Sequence, residues 1–248
     1  MKEYILITTT FDNEEEANKI IGILLEKRLV SWWGNNMNNG YIEIWENWSK
    51  KRYGILNYDN WLDKYNEILI ENKNNEIVDL GCGVGADTLY LIERGYDVLS
   101  CDFSYEAMKN IEDNIKGSKT QYLNMLNKFP FKDNSKNLII ADLSLHYFNT
   151  LDTIHIMNEI KRVLKPNGIL LARVASIKDV NHGADCDEMI EKNYGIAFGY
   201  AKRFFDEEDI NKFFGIIGKI EYKETEMLRS DKEYQKVKRL YEVKVIKR

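Results

Sequence analysis

A glycine-rich segment with an acid in front of it is the part of this sequence best suited to hold a ligand. Residues 76–85 read EIVDLGCGVG, so a short apolar strand that contains Asp79 runs into Gly81, Gly83 and Gly85. Glycine lacks the Cβ atom that would keep a ligand away from the backbone, so the pattern predicts a strand-to-helix turn that approaches a ligand closely. A second apolar run, 96–101, ends in Asp102, an acid that can accept two hydrogen bonds from a ribose diol.

Two ligands fit this segment, and Asp79 favours one of them. Gly81, Gly83 and Ala86 satisfy the dinucleotide fingerprint G-x-G-x-x-G/A, which is typical of NAD sites. A carboxylate at the entry of the turn would repel a pyrophosphate, whereas it accepts from an ammonium group a hydrogen bond worth roughly 1.5–3 kcal/mol. S-adenosylmethionine combines an α-amino acid with ribose and adenine, so the acid favours it over NAD.

Several ordered blocks, over roughly residues 45–248, resemble the class I S-adenosylmethionine-dependent methyltransferases. Residues 79–85 resemble the first motif of that family, and Asp102 resembles its ribose-binding acid. The resemblance implies that the glycine turn holds the methionyl part, while Phe103, Asn124 and Met125 hold the adenine, with Asn124 standing where the family usually has Asp. The expected cofactor-binding residues are Asp79, Gly81, Cys82, Gly83, Gly85, Asp102, Phe103, Asn124, Met125 and Asp142.

The methyl acceptor is expected at the ends of the fourth and fifth strands. Asp142 and His146 are candidates for the polar groups beside the transferred methyl, and His146 could act as a base near neutral pH. Arg173 and Arg203 could hold an anionic acceptor, with structural ion pairs as the alternative. Residues 141–148 lack the Asn/Asp-Pro-Pro-Tyr motif of enzymes that methylate nucleobase amines, so a small-molecule acceptor is expected. The tail, including 181–184 and 202–208, resembles the tellurite-resistance and thiopurine branch of small-molecule enzymes.

The segments after residue 75 alternate between strand and helix patterns. Strands are predicted near 76–80, 97–101, 120–124, 138–142 and 168–174, helices near 86–94, 104–116, 152–163 and 207–214, and a closing hairpin at 216–222 and 240–246. The fold class is therefore α/β, a Rossmann-like, doubly wound, mostly parallel seven-stranded sheet with helices on both faces. Residues 49–75 are predicted to be an amphipathic helical stretch, in which Tyr58 and Trp61 are candidates for a lid over the cofactor.

A small β-α-β appendage, residues 1–48, is predicted before the main domain, 49–248. It contains a strand at 4–10, a helix after Asp12, a turn at 34–40 and a strand at 41–45. The segments ILITTTFDNEEEA, LLEKRLVS and YIEIWEN resemble the first half of the divalent-cation-tolerance (CutA-type) proteins. Half of that fold cannot bury a full core, so it must dock on the main domain, pair with another copy in a homo-oligomer, or stay loosely folded.

Composition narrows the remaining classes of function and partner. The 248 residues are 44% hydrophobic and 30% charged, with a net charge of −5 that favours no nucleic-acid partner. The three cysteines lack metal-ligand spacing, no metal site is expected, and no apolar run approaches the ~18–20 residues that span a bilayer. A soluble, cytoplasmic methyltransferase is expected, with no membrane partner. An NAD-linked oxidoreductase and a non-catalytic S-adenosylmethionine sensor assembled through the N-terminal segment remain as alternatives.

Overall fold

The chain forms two compact units, Met1–Ile44 and Trp45–Arg248, and the main sheet belongs to the second. The structure, a computed structural model, describes residues 32–186, 188–227 and 236–248, with side chains from residue 42 onwards. The predicted strand at 4–10 and the predicted helix after Asp12 lie outside the described residues.

A single helix, α1 (Trp32–Lys51), occupies the region where a turn at 34–40 and a strand at 41–45 were expected. Both of these predictions are wrong. In the second unit, Trp45 packs on the rings of Trp48 and Tyr147, and Glu46 accepts hydrogen bonds from residues 104–106.

The second unit alternates strands with helices from residue 61 onwards. A 3₁₀ turn, Trp61–Tyr65, and α2 (Asn66–Glu71) precede the first strand, so the predicted helical stretch 49–75 is interrupted. The following elements are β1 (Ile77–Leu80), α3 (Ala86–Glu93), β2 (Val98–Asp102), α4 (Tyr105–Asn114), β3 (Lys119–Tyr122), β4 (Lys136–Asp142), a 3₁₀ turn (Leu145–Tyr147), α5 (Thr150–Val163), β5 (Leu164–Ala175), a 3₁₀ turn (Val180–His182), β6 (Met189–Glu191), β7 (Tyr194–Ala197), β8 (Tyr200–Arg203), α6 (Glu207–Asp209) continued by a π-helical turn (Ile210–Phe214), β9 (Gly218–Met227) and β10 (Lys238–Lys247).

The main sheet has seven strands in the order β3-β2-β1-β4-β5-β10-β9. Strands β1 to β5 are parallel, whereas β10 is antiparallel to both β5 and β9. The predicted fold class is confirmed. The strand order reverses between β1 and β4, and the crevice at the carboxyl ends of such a pair is where doubly wound sheets bind ligands.

Helices pack on both faces of this sheet because the central strands are buried on both sides. On one face, Trp61, Leu69 and Leu91 form a core with Ile77 and Ile140. On the other, residues of α5 and the π-helical turn pack on β1, β4 and β5; among them are Ile156, Ile160 and Phe213. None of the helices that the structure describes combines the length and the apolar character that crossing a membrane requires.

A second, three-stranded sheet was not predicted. It has the order β6-β7-β8, with antiparallel pairing throughout. A bridge between Ser176 and Phe205 joins the chain just after β8 to the end of β5, and β8 contacts the 3₁₀ turn Leu145–Tyr147. This small sheet therefore lies beside the carboxyl ends of β4 and β5, where the acceptor was expected.

Candidate active site

The glycine turn between β1 and α3 is open on one side and tightly packed on the other. Gly81 and Gly83 have φ angles of +73° and +51°. A Cβ atom on Gly81 would lie 2.4 Å from the Cβ of Ser144 and 2.8 Å from the Cε of Met125, so this residue packs against the segments after β4 and β3. A Cβ on Gly83 would meet only Trp48, at 3.8 Å, among the described residues. The backbone at Gly83 is therefore the place where a ligand can come close.

Asp102, at the end of β2, is tied to this turn by hydrogen bonds. Its Oδ2 accepts from the backbone N–H of Gly83 at 2.9 Å, and its Oδ1 accepts from that of Ser104, also at 2.9 Å. Burial raises the pKa of the carboxyl, which these N–H groups oppose. Each carboxylate oxygen can accept a second hydrogen bond, so a ribose diol can bind here.

Asp79 is buried at the end of β1, and the hydroxyl of Thr88 donates to its Oδ2 at 2.7 Å. Burial, helped by the negative charges of Asp142 and Asp102, raises the pKa of Asp79 to about 7. A cationic group beside these three acids would be stabilised by their field and would restore the charge on Asp79. The arrangement fits a cofactor that carries an ammonium group.

Of the other predicted cofactor-binding residues, some lie around the glycine turn and others pack into the core. Met125 packs over Gly81, and Phe103 is half-buried beside Asp102 at the rim of the turn. The Oδ1 of Asn124 accepts from the N–H of Leu126 at 2.9 Å, which fixes the amide after β3. The side chain of Cys82 packs against Ile111 and Ile115 in the core, and burial raises its thiol pKa well above the ordinary value. A Cβ on Gly85 would lie 2.8 Å from each of those isoleucines, so this glycine permits close helix packing rather than ligand contact.

Arg173 forms an ion pair with Asp142 across neighbouring strands. Its Nε and Nη2 lie 2.6 and 2.7 Å from the two carboxylate oxygens of Asp142, and its Nη1 lies 2.7 Å from Asp59. The guanidinium stacks 4.7 Å from the ring centroid of Trp61. Because two carboxylates already bind it, the geometry favours the structural alternative for Arg173 over the predicted contact with an anionic acceptor.

His146 is buried in the 3₁₀ turn after β4, next to the aromatic rings that line the acceptor side. Its Nδ1 accepts from the backbone N–H of Ala175 at 3.2 Å, so the proton of the neutral ring lies on Nε2. Burial lowers its pKa well below the ordinary value, and the charges of Lys202 and Lys238 add to this effect. His146 is therefore a neutral hydrogen-bond donor in this geometry, and the free lone pair that the predicted base needs is absent.

Four aromatic side chains meet above the carboxyl ends of β4 and β5, and we call Trp45, Trp48, Tyr147 and Tyr200 the ring cluster. The centroid of Trp45 lies 4.6 Å from Tyr147 and 6.0 Å from Tyr200, and Tyr147 and Tyr200 are 5.9 Å apart. The sequence interpretation missed the two tryptophans because it placed Trp45 at the end of a strand.

The two lid candidates, Tyr58 and Trp61, contact side chains of α3. Tyr58 packs 5.4 Å from the ring of Tyr90 on α3, and the indole of Trp61 donates to Asp87 at 2.9 Å. Two charged residues near the ring cluster, Lys202 and Asp179, were also missed. Both are buried, and although Lys202 lies in the block 202–208 that resembles the tellurite-resistance and thiopurine branch, no ligand-binding role was predicted for either residue.

The comparisons with known proteins agree with this geometry. Residues 78–172 match the family model described as "Methyltransferase domain". The chain is 32% identical, over 123 residues, to YqeM of Bacillus subtilis (strain 168), which carries a provisional methyltransferase name; the alignment covers 48% of this chain and 49% of that protein. It is 26% identical, over 108 residues, to the tRNA N(3)-cytidine methyltransferase METTL2 of Gallus gallus, covering 39% of this chain and 29% of that protein.

Among solved structures, a SAM-dependent methyltransferase of Methanosarcina mazei superposes with a TM-score of 0.57 at 19% identity, covering 71% of this chain and 96% of that one. This likeness shows the fold. The chain spans about half the length of the first curated relative that it matches. The matched region includes β1, the glycine turn, Asp102 and Asp142. Residues 78–172 therefore match a methyltransferase domain, and the sheet that contains them has the fold of an S-adenosylmethionine-dependent methyltransferase.

Proposed function

We propose that the whole protein transfers a methyl group from S-adenosylmethionine to a small molecule. The observation that supports this most is the combination, at one switch point, of an open glycine backbone with two buried acids. Gly83 leaves room for a ligand, Asp102 accepts a hydrogen bond from that same turn, and Asp79 is buried at the end of the neighbouring strand. An ammonium-bearing nucleoside suits this set, whereas a pyrophosphate would meet the carboxylate of Asp79. The NAD alternative is therefore disfavoured.

The bound cofactor would supply an electrophilic methyl group on a sulfonium, whose displacement leaves a neutral thioether. The chain then has to align the acceptor and exclude water, and it needs little acid or base chemistry. The ring cluster can do both, because its rings pack on one another around Tyr147, in the 3₁₀ turn that follows β4. The neutral, buried His146 beside Tyr147 can orient a polar group of the acceptor as a hydrogen-bond donor.

The surroundings of the ring cluster favour a small methyl acceptor over a polymer. The rings of α1, the 3₁₀ turn and β8 converge there at 4.6–6.0 Å from one another. The net charge of −5 does not attract the phosphates of RNA. The similarity to a tRNA methyltransferase covers 29% of that protein, so its acceptor does not carry over to this chain.

The test traces a labelled methyl group from the cofactor to its product. The protein is incubated with S-adenosylmethionine that carries a tritiated methyl, together with cell extract, and the products are separated into low-mass, RNA and protein fractions. We expect label in the low-mass fraction, and none with Asp102→Ala, which weakens the hold on the ribose. Label confined to RNA or protein would contradict the proposed acceptor. Cofactor binding without any transfer would favour the sensor alternative.

A further inference from the structure

We propose that Lys202 binds the methyl acceptor, and that this acceptor carries an anionic group, a carboxylate or another oxyanion. The inference rests on the proposed function and names the chemistry of its acceptor. Its basis is a largely buried lysine, on the face of β8 that carries Tyr200, whose ammonium group forms no ion pair with an acid among the described residues.

Lys202 points towards the place where the acceptor is expected. It lies in β8, two residues after Tyr200, and side chains two residues apart in a strand share one face. The ring of Tyr200 lies 5.9 Å from Tyr147 and 6.0 Å from Trp45, so this face of β8 is turned to the ring cluster. The charge of Lys202 also reaches His146, because it lowers the pKa of that ring.

The ammonium group lacks a matching charge. Lys202 is 6% exposed, and its Nζ lies 4.6 Å from the ring centroid of Phe204. Among the described residues, this Nζ forms neither a hydrogen bond nor an ion pair; it interacts with the ring of Phe204 and, through charge alone, with Asp179. The two arginines predicted to hold an anion are in the opposite situation, since Arg173 contacts Asp142 and Arg203 contacts Glu191. A lysine that is 6% exposed and forms no ion pair has lost most of its hydration, and a bound anion would offset that cost.

Asp179, whose charge acts on Lys202, has a carboxylate oxygen without a hydrogen-bond partner among the described residues. It raises the pKa of Lys202, which burial lowers to about 8, yet the two residues form no ion pair. The Oδ1 of Asp179 accepts from the N–H of Arg239 at 3.1 Å and lies 2.8 Å from Nδ1 of His182, whereas its buried Oδ2 has no partner among the described residues. A ligand placed between Lys202 and Asp179 can thus give an oxyanion to the first and a hydrogen bond to the second.

Benzoate and benzamide test this proposal because they share one shape and differ in charge. Each is titrated into the full chain, with and without saturating S-adenosylhomocysteine, and binding is followed by calorimetry. We expect benzoate to bind about tenfold more tightly than benzamide, in line with the strength of charge-assisted hydrogen bonds. Lys202→Met should remove this preference, whereas Lys202→Arg and the exposed control Lys223→Met should keep it.

Two outcomes would overturn the proposal: equal affinities for the two probes in the unmodified protein, or a benzoate preference that persists in Lys202→Met. Should that variant not fold, as judged by its thermal transition, the unmodified protein and Lys202→Arg still decide. The benzoate titration is also made without S-adenosylhomocysteine. If the protein binds no S-adenosylhomocysteine but still prefers benzoate over benzamide, the proposed function alone is contradicted.

Discussion

At the scale of single residues, Asp79 links the charge of the site to pH. Its pKa is raised to about 7 because the carboxyl is buried and because Asp142 and Asp102 lie near it. The form that accepts a hydrogen bond from the ammonium of the cofactor is the ionised one. Binding must therefore remove the proton wherever Asp79 is protonated in the free protein, and binding is weakened as the pH falls below the pKa of the free carboxyl.

We predict that the affinity for S-adenosylhomocysteine rises with pH and levels off above about 7, with a limiting slope of roughly tenfold per pH unit below that value. Calorimetric titrations between about pH 5.5 and 8.5 measure this. Asp79→Asn should bind more weakly at high pH and should show a nearly flat profile. A steep profile that survives in Asp79→Asn would assign the titration to another group.

The sequence indicated the acids of the site but not their partners. Asp79 and Asp102 follow strand patterns with glycines at fixed spacing, which can be read from the chain. The Asp142–Arg173 pair also joins residues that the sequence had singled out, but it depends on the register of β4 with β5 and on Asp59 from a distant loop. Whether Lys202 forms an ion pair depends on three-dimensional packing, so no sequence motif indicates it.

At the scale of elements, the carboxylate of Glu46 on α1 caps the N-terminus of α4. Its Oε1 accepts from the N–H of Tyr105 at 2.9 Å, and its Oε2 accepts from the N–H of Glu106 at 3.0 Å and from the hydroxyl of Ser104 at 2.9 Å. A carboxylate at this end of a helix is stabilising, because the free N–H groups and the helix dipole both favour it. The backbone of Ser104 in turn holds Asp102, so this contact supports the ribose side of the site.

We expect Glu46→Gln to lower the free energy of unfolding by about 1 kcal/mol, the usual value of a helix cap. The reason is that a neutral amide has one acceptor oxygen for three donors. It should also weaken S-adenosylhomocysteine binding severalfold, because Ser104 is then less fixed. Chemical denaturation and calorimetry measure the two effects. The exposed Glu43→Gln is the matched control, and equal stabilities of the two variants would show that the cap contributes nothing.

The prediction failed at α1 and at β6, β7 and β8 because the local sequence pattern there is weak or points to another structure. Helix α1 contains several Asn and Gly residues, which favour turns locally, so the local pattern predicts a turn where the structure has a helix. The strands β6, β7 and β8 have three or four residues each, too short for a clear alternation. By contrast, β1, β2 and β4 are apolar strands that end in acids at the motif positions, and the prediction placed them correctly.

At the scale of the whole molecule, the sheet order brings these separate features to one edge. Neighbours β1 and β4 carry Asp79 and Asp142, β2 carries Asp102 and β5 carries Arg173, all near their carboxyl ends. Tyr147, Tyr200 and Lys202 lie on the β4–β5 side of that edge, the glycine turn lies on the β1–β2 side, and Trp48 of the ring cluster reaches the turn at Gly83. The proposed cofactor side and the proposed acceptor side would thus meet at the switch point, as a transfer between two ligands requires.

The central claim is that this switch point binds an adenosyl amino acid rather than a dinucleotide. The most direct measurement is a pair of calorimetric titrations of the full chain, one with S-adenosylhomocysteine and one with NADH, at a pH above 7. The account predicts one S-adenosylhomocysteine per chain and no heat of binding from NADH. Saturable binding of NADH, or a folded protein that takes up no S-adenosylhomocysteine, would contradict it.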